Sequence, residues 1–451
     1  MAQSSSAAAP APIQAGNNEQ TCSGDTPSRA AWFRSAATWL VIAAFAVRIG
    51  FMLVLGTYRF DRHDDQSDVN EDTYIARSLN EGRGFSSPFS TTYTGPTAWV
   101  TPVYPYFVAA VFKYFGVMSH RSYLVIQTVQ SLFSALTVLP LIGIGILSNS
   151  RRGGLVAGTV WALFPWFSRW ALTWIWETSL SALLLAVLIW YALWLRDNGK
   201  PRAWAGFGAL WGFSLLVNPA LSSLLPVTLV CALYPHWRRK QSWLRPCLTV
   251  AAACFLVVSP WLVRNRLVMG QWVFLRDNFG FEFALGNYHL SFGRGWAGKH
   301  PSVNPREFDR YRQLGELGYI EANTDEALRF VRQYPAEFVT ISAKRVMYFW
   351  DGSGMEYRGP VSPCWFPWSF ALTSFLLLPA ILVCRRLRIP AFWILFLVVL
   401  IYPIPYYLTH PPVRYRHIIE PEIVLLIGFA AAEGRAQLGN RRHTTSEPAP
   451  A

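Results

Sequence analysis

Residues 36–56 read AATWLVIAAFAVRIGFMLVLG, and the chain turns directly from them into TYRFDRHDDQSDVNEDTYIARSLNEGRGFSSPF, residues 57–89. The first stretch is an apolar run of the length a helix needs to cross a bilayer, about 17–25 residues. The second is a polar loop in which seven acidic residues face four arginines. Further apolar runs follow at 123–147, 155–170, 174–195, 203–217, 220–234, 247–263, 365–384, 390–408 and 417–432. They predict an all-α polytopic membrane protein with about ten transmembrane helices. Composition agrees, with 52% hydrophobic and only 15% charged residues in 451. Abundant aromatics exclude disorder, and six cysteines without a spacing pattern exclude a disulfide scaffold.

The net charge of +14 looks like a nucleic-acid signal until it is placed along the chain. Basic residues sit in short loops: Arg151 and Arg152, Arg196 with Lys200 and Arg202, Arg238, Arg239 and Lys240 with Arg245, Arg385, Arg386 and Arg388, and Arg435 with Arg441 and Arg442. Short Lys/Arg-rich loops stay cytoplasmic. With both termini cytoplasmic, all of these fall on one side, and the acidic loop 58–102 and the long segment 264–362 fall on the other. No zinc-finger, helix-turn-helix or RNA-binding motif is present, so nucleic acid is not expected as a partner. The organisation that follows is a disordered cytoplasmic tail at 1–35, a transmembrane module at 36–263, an outward cap at 264–364, C-terminal transmembrane helices at 365–432 and a cytoplasmic tail at 433–451. The segment 102–116, too short and too bounded by proline to span, reads as an interfacial helix.

Within the acidic loop, Glu71, Tyr74 and Ser78 follow helical spacing beside an Ile75–Leu79 stripe, which predicts a surface helix over 69–80. A carboxylate held there above the membrane suits a general base or a cation ligand, and it equally suits a solvated acidic face. In the cap, Thr324 reads as an N-cap and Pro335 as the start of a further amphipathic helix. Arg48 and Glu177 stand inside apolar runs, where ionisable groups are costly. Each marks either a substrate path or a locally paired side chain. The outward turn THPPVRYRHIIEP, 409–421, sets Arg414, Arg416 and His417 at the surface, where they suit a phosphate or lipid headgroups.

Several of these stretches, taken in order, resemble the GT-C membrane glycosyltransferases that use polyprenyl-phosphate sugars, in particular the family 39 group related to dolichyl-phosphate-mannose protein mannosyltransferases. They are NEDTYIARSLNEGRGFSSPF (70–89) with GPTAWVTPVYPYFVAAVFKYFG (95–116), ALFPWFSRWALTWIWETSLSALLL (162–185), NPALSSLLPV (218–227) with SPWLVRNRLVMGQWVFLRDNFGFEFALGN (259–287), and YYLTHPPVRYRHIIEPEIVLL (406–426). The resemblance implies a GT-C-like fold in a bacterial inner membrane. It also implies a transferase that moves a sugar, hexose or pentose, from a polyprenyl-phosphate carrier to a lipid, glycan or protein acceptor on the outward side, with inversion. It implies an acidic residue in an Asp-Glu-x-x-Tyr pattern. Here that pattern reads Asn70-Glu71-Asp72-Thr73-Tyr74, so the base is Glu71, or else Asp72 or Asp68 has taken the role, with Glu177 as the second acidic position. Arg264, Arg414, Arg416 and His417 are the expected ligands of the lipid phosphate. No His or Cys cluster has the spacing of a metal site; a divalent cation assisting the carboxylate is compatible with the chemistry. A transporter or flippase of lipid-linked sugars is the rival reading, although the chain lacks the internal repeat such proteins usually carry.

Overall fold

The computed structural model describes residues 29–59, 70–289, 291–295, 297–353 and 366–444. Every regular element among them is helical. Six helical stretches are long and apolar enough to cross a membrane: Ser35–Leu55, His120–Leu147, Thr178–Leu195, Pro219–Arg238, Leu244–Met269 and Trp368–Arg386, with a shorter apolar stretch at Phe392–Leu408. The other expected runs are helical as well, but proline and charge limit them. Arg151–Leu163 stops ahead of Pro165, and Pro201–Val217 stops ahead of Pro219. Glu420–Thr444 is long but carries acidic residues in its first turn, and it continues through most of the stretch expected as a tail. The expected tail residues 1–28 and 445–451 lie outside the described residues, as does Asp68.

Small residues let the helices of this body approach closely. Gly145, on Val138–Leu147, faces Gly154, on Arg151–Leu163, so closely that a Cβ on Gly145 would stand 2.6 Å from the Gly154 Cα. Gly153 meets Phe429 and Gly428 meets the backbone of Gly153 on the far side. Such contacts replace the hydrophobic driving force that helices lose in lipid. Arg48 is fully buried here, and its guanidinium donates to Ser134 Oγ (2.9 Å) and to the carbonyls of Ala44 (3.0 Å), Trp161 (3.1 Å) and Ala162 (3.2 Å). The last two belong to the final turn of Arg151–Leu163, where carbonyls have no intrahelical partner and the helix dipole favours a cation. Arg48 is therefore a helix-end ligand, with four of its five N–H donors spent on these partners.

Outside the spans, the acidic loop forms the helix Glu71–Asn80, close to the expected bounds. Its N-cap is Asn70, in a capping box with Thr73: the Asn70 Oδ1 accepts from the Thr73 N–H (3.2 Å), and the Thr73 hydroxyl accepts from the Asn70 N–H (3.1 Å). The Asn70 amide NH₂ is then free to donate to the Ile175 carbonyl at 2.7 Å. An aspartate would cap the helix equally well but has no such donor, which accounts for asparagine at this position of the family-like pattern. The helix rests on Val103–Phe115 through Ala76, Val108, Ala109 and Phe112, and Asn80 donates to the Ala109 carbonyl (3.0 Å).

The cap consists mainly of Pro305–Gln333 and Pro335–Asp351. Thr324 is not an N-cap. The helix runs through it, with its hydroxyl donating to the Ile320 carbonyl four residues back (2.7 Å), and the break falls at Gly315, whose φ of 68° suits glycine. Directly after that break Glu316 reaches the first loop. Its Oε1 accepts from the Ala98 N–H (2.6 Å), and its Oε2 accepts from the hydroxyls of Thr97 (2.5 Å) and Tyr311 (2.8 Å). Phe89, Trp99, Phe281, Tyr311 and Tyr319 close around this clamp as an aromatic cluster.

Two stability changes follow from these contacts. Arg48→Leu leaves the Trp161 and Ala162 carbonyls without their donor and lowers stability by about 2–4 kcal/mol, read as a fall in the thermal midpoint of the detergent-purified protein, with Arg48→Lys falling less. Asn70→Asp, although neutral for capping, sets a carboxylate against the Ile175 carbonyl and costs about 1–3 kcal/mol. An unchanged midpoint for that variant would show that the Asn70 amide contributes nothing.

Candidate functional site

The loop helix, the head of the span Thr178–Leu195, the Asn218 corner, the segment after the span Leu244–Met269 and the turn 409–415 converge on one polar cavity. Glu71, Asp72, Trp99, Tyr104, Trp176, Glu177, Asn218, Arg276, Asn278, Glu282, Arg414 and Tyr415 are among its lining residues. A second, more open chamber lies against it, lined by Trp174, His300, Ser302 and His410, among others; Glu71, Trp176, Glu282 and Arg414 line both. The wall between the two spaces is thus built around Glu71 and Arg414.

The helix start explains how two adjacent carboxylates come to differ. Glu71 and Asp72 occupy the first turn, where backbone N–H groups favour negative charge. Burial alone pushes the Glu71 carboxyl up, but the hydrogen bond and charge of His300, with Arg414 beyond, outweigh it and hold Glu71 below the ordinary range. His300 Nε2 lies 3.0 Å from Glu71 Oε1, and its Nδ1 faces Ser302 Oγ at 2.6 Å. Asp72, only 4% exposed, is driven the other way. Burial first, then the charges of Glu177 and Glu71, raise it well above the usual carboxylate range. The two neighbours are thus displaced in opposite directions, Glu71 toward its charged form and Asp72 away from it, a division typical of acid–base sites. Glu177, the residue ahead of its span, accepts from the Asn218 amide (3.3 Å), which also reaches Ser181 Oγ (3.3 Å).

Of the four expected phosphate ligands, only Arg414 lines the cavity. Its guanidinium lies over the Trp176 ring, 3.3 Å from the centroid, and donates to the Tyr415 hydroxyl (3.2 Å); no described carboxylate forms an ion pair with it. Arg264 is drawn away by backbone carbonyls, donating to Thr97 (2.7 Å) and Phe85 (2.9 Å) while it stacks on Trp261. Arg416 is fully buried and donates to the Trp350 and Phe370 carbonyls (3.0 and 3.1 Å) and to Thr373 Oγ1 (2.6 Å), pinning the cap to Phe366–Arg386. His417 is buried against Trp161, with Nδ1 2.7 Å from Glu420 Oε2. These three side chains hold the fold together.

The cation that sequence reasoning missed is Arg276, which lines the cavity opposite the carboxylates. Its positive charge acts on Asp72, Glu177 and Glu282. Asp277, Glu282, His300 and His410 were missed too. Their only sequence signal is a knot of charge, Arg276-Asp277 followed by Glu282, inside an otherwise apolar stretch. Asp277, between the lining residues Arg276 and Asn278, is pushed well above the carboxylate range by burial and by the charge of Glu316. Among the described residues no group of three or more His, Cys, Asp and Glu side chains is arranged to hold a metal ion.

Residues 99–263 match the family model described as dolichyl-phosphate-mannose-protein mannosyltransferase. No curated protein sequence matches the chain. Among solved structures, the chain is similar to the archaeal oligosaccharyltransferase AglB from Archaeoglobus fulgidus in complex with an inhibitory peptide and a dolichol-phosphate, at 14% identity and a TM-score of 0.52 over 93% of this chain and 52% of that one. The apo form of the Archaeoglobus fulgidus oligosaccharyltransferase gives 11% identity and a TM-score of 0.51, over 92% and 52%. ArnT from Cupriavidus metallidurans bound to undecaprenyl phosphate gives 13% identity and a TM-score of 0.39, over 90% and 78%. The chain spans about half the length of the archaeal protein. It is thus an all-helical membrane protein with the GT-C fold, and over residues 99–263 it is similar to the dolichyl-phosphate-mannose-protein mannosyltransferase family.

Proposed function

We propose that the protein is an inverting glycosyltransferase that moves a sugar from a polyprenyl-phosphate carrier to an acceptor on the outward side of the membrane. The observation that carries this reading is the opposite displacement of two adjacent carboxylates, Glu71 held below the ordinary range and Asp72 well above it, in a cavity that also contains Arg276 and Arg414, neither of them in an ion pair with a described carboxylate. The same reading takes both termini as cytoplasmic, supported by the basic loops, sets the cavity on the far side, and assigns the protein to a bacterial inner membrane.

In this reading the Glu71 carboxylate takes the proton of the acceptor hydroxyl as its oxygen attacks the anomeric carbon. The bond from that carbon to the phosphate oxygen breaks, and the electron pair leaves with the phosphate. Arg414 and Arg276 stabilise the charge that grows there, in a site where burial strengthens each interaction. Asp72, whose burial disfavours its charged form, is suited to supply a hydrogen bond. A single in-line displacement inverts the anomeric centre. Anchoring the phosphate at the membrane surface leaves the isoprenoid tail in lipid, so neither charge nor hydrocarbon is moved into the wrong medium.

Glu71→Gln keeps shape and hydrogen bonding but loses the base, and it lowers transfer about 10²–10⁴-fold while polyprenyl phosphate still binds. Release of polyprenyl phosphate from a polyprenyl-phosphate sugar by the purified protein measures this, and wild-type rates in the variant would remove Glu71 from the mechanism. The pH profile has a defined sign. A base whose pKa is depressed stays ionised until the pH falls through that lowered value. The acidic limb of kcat/KM therefore lies below the ordinary glutamate value of about 4.3, and His300→Ala, which removes the main depressing group, moves that limb upward.

A further inference from the structure

Two stretches of the polar cavity's wall are joined to each other and to the cap at one point. One stretch carries Trp99, Val100 and Thr101, and the other carries Arg276 and Asn278. Between the last two, the Asp277 N–H donates to the Ala98 carbonyl (3.2 Å). Glu316 of the cap holds the same place, accepting from the Ala98 N–H and from the hydroxyls of Thr97 and Tyr311. The cavity behind this junction has a volume of about 50 Å³. That is room for a few water molecules, whereas sites for whole small molecules measure about 300–1,000 Å³. Anything larger than water enters only when part of the wall moves.

At the junction two buried carboxyl groups, Asp277 and Glu316, lie within hydrogen-bonding reach of each other. They are unequally provided for. Glu316 accepts three hydrogen bonds, which favour its charged form. Both Asp277 oxygens are buried, and neither accepts from an N–H or O–H among the described residues. A bare carboxylate can only accept, so two of them in such contact repel. One proton on Asp277 turns that repulsion into a charge-assisted hydrogen bond and gives an orphaned oxygen a partner. Burial and the charge of Glu316 raise Asp277 well above the ordinary range, in the same sense. The other titratable and charged groups at this point have different roles. The Tyr311 phenol, raised well above its own ordinary value by burial and by Glu316, already donates to Glu316. Arg264, which donates to the Thr97 carbonyl, acts on Glu316 through its charge, and Arg276 acts on Asp277.

We propose that Asp277 and Glu316 share one proton and that this proton latches the cavity wall to the cap, so that the wall is held at low pH and released as the pH rises. The sign follows from counting protons. The latched pair holds one. With the junction open and wet, Asp277 returns to the ordinary aspartate value of about 3.9 and holds none near neutral pH. Opening therefore releases a proton. The open fraction rises by up to about tenfold per pH unit until the pH passes the raised value of the latched pair, and then levels off. Asparagine at position 277 offers Glu316 an N–H at every pH, so Asp277→Asn removes the pH dependence and keeps the latch closed. The inference goes beyond the transferase reading: it concerns the wall, whatever chemistry the cavity performs.

The test is hydrogen–deuterium exchange, read by mass spectrometry on the full chain in lipid nanodiscs without substrate, from about pH 5 to about pH 9. Rates are corrected for the intrinsic pH dependence of amide exchange. The segments that report are 94–101, 274–280 and 311–320. The expected result is that protection in all three falls together as the pH rises, by up to about tenfold per unit, while the span Thr178–Leu195 keeps its protection and the Asp277→Asn profile stays flat. Wild-type protection that does not change with pH overturns the inference, and so does a pH dependence that Asp277→Asn retains. A loss confined to Glu71–Asn80 assigns the response to Asp72 and has the same consequence. So does a loss that reaches Thr178–Leu195 at the same pH, which is global unfolding. Where the variant does not fold, the wild-type profile decides the matter. No sugar takes part in this readout, so failure of the transferase reading leaves its outcome unaffected.

Discussion

The geometry of the site turns on one hydrogen bond, from the Asn70 amide to the Ile175 carbonyl at 2.7 Å. Asn70 sits immediately before Glu71 and Asp72, and Ile175 sits two residues before Glu177. That single contact therefore sets two segments more than a hundred residues apart at a fixed separation, each carrying acidic side chains. The capping box with Thr73 orients the asparagine, and the packing of the loop helix on Val103–Phe115 keeps the whole turn in place. If the contact is loosened, Asp72 loses part of the burial, and of the repulsion from Glu177, that raise it.

Charge burial is the second organising constraint. A protein whose surroundings are largely apolar cannot leave a guanidinium unsolvated, and this chain answers the problem repeatedly with backbone carbonyls. Arg48 takes the frayed end of a helix. Arg264 takes the loop carbonyls of Phe85 and Thr97, Arg416 takes those of Trp350 and Phe370, and Arg345 those of Gly286 and Leu408. Each such arginine joins segments through charge-assisted hydrogen bonds. The cap is fixed to the membrane body by Arg345 and Arg416 and to the first loop by Glu316.

That habit also explains what the sequence could and could not reveal. Hydropathy and loop charge made the membrane helices and the acidic loop legible, because both depend on local composition. Glu71 and Glu177 were legible through their place in motifs. Arg264 and Arg416 were read as phosphate ligands because a carbonyl partner leaves no mark in sequence: every residue has one. His417, read likewise, is held by Glu420 and by the Trp161 ring. Arg276, His300 and His410 escaped notice for the converse reason. Their partners lie on other elements, and only the fold of the cap brings them above Glu71. Thr324 was misplaced because a threonine that bonds back to its own helix and one that caps a helix look alike in sequence.

The glycine contacts in the membrane body have a mechanical consequence. Where Gly145 and Gly154 meet, the backbones touch, and neither helix can slide along the other without driving side chains into main chain. This part of the molecule therefore behaves as a rigid floor. Relative motion is left to the layer where the loop helix and the cap meet through hydrogen bonds and aromatic edges that can part and re-form. Admission and release of anything the cavity holds then depends on a roof that moves over a fixed base, with the kink at Gly315, beside the Glu316 clamp, as its natural hinge.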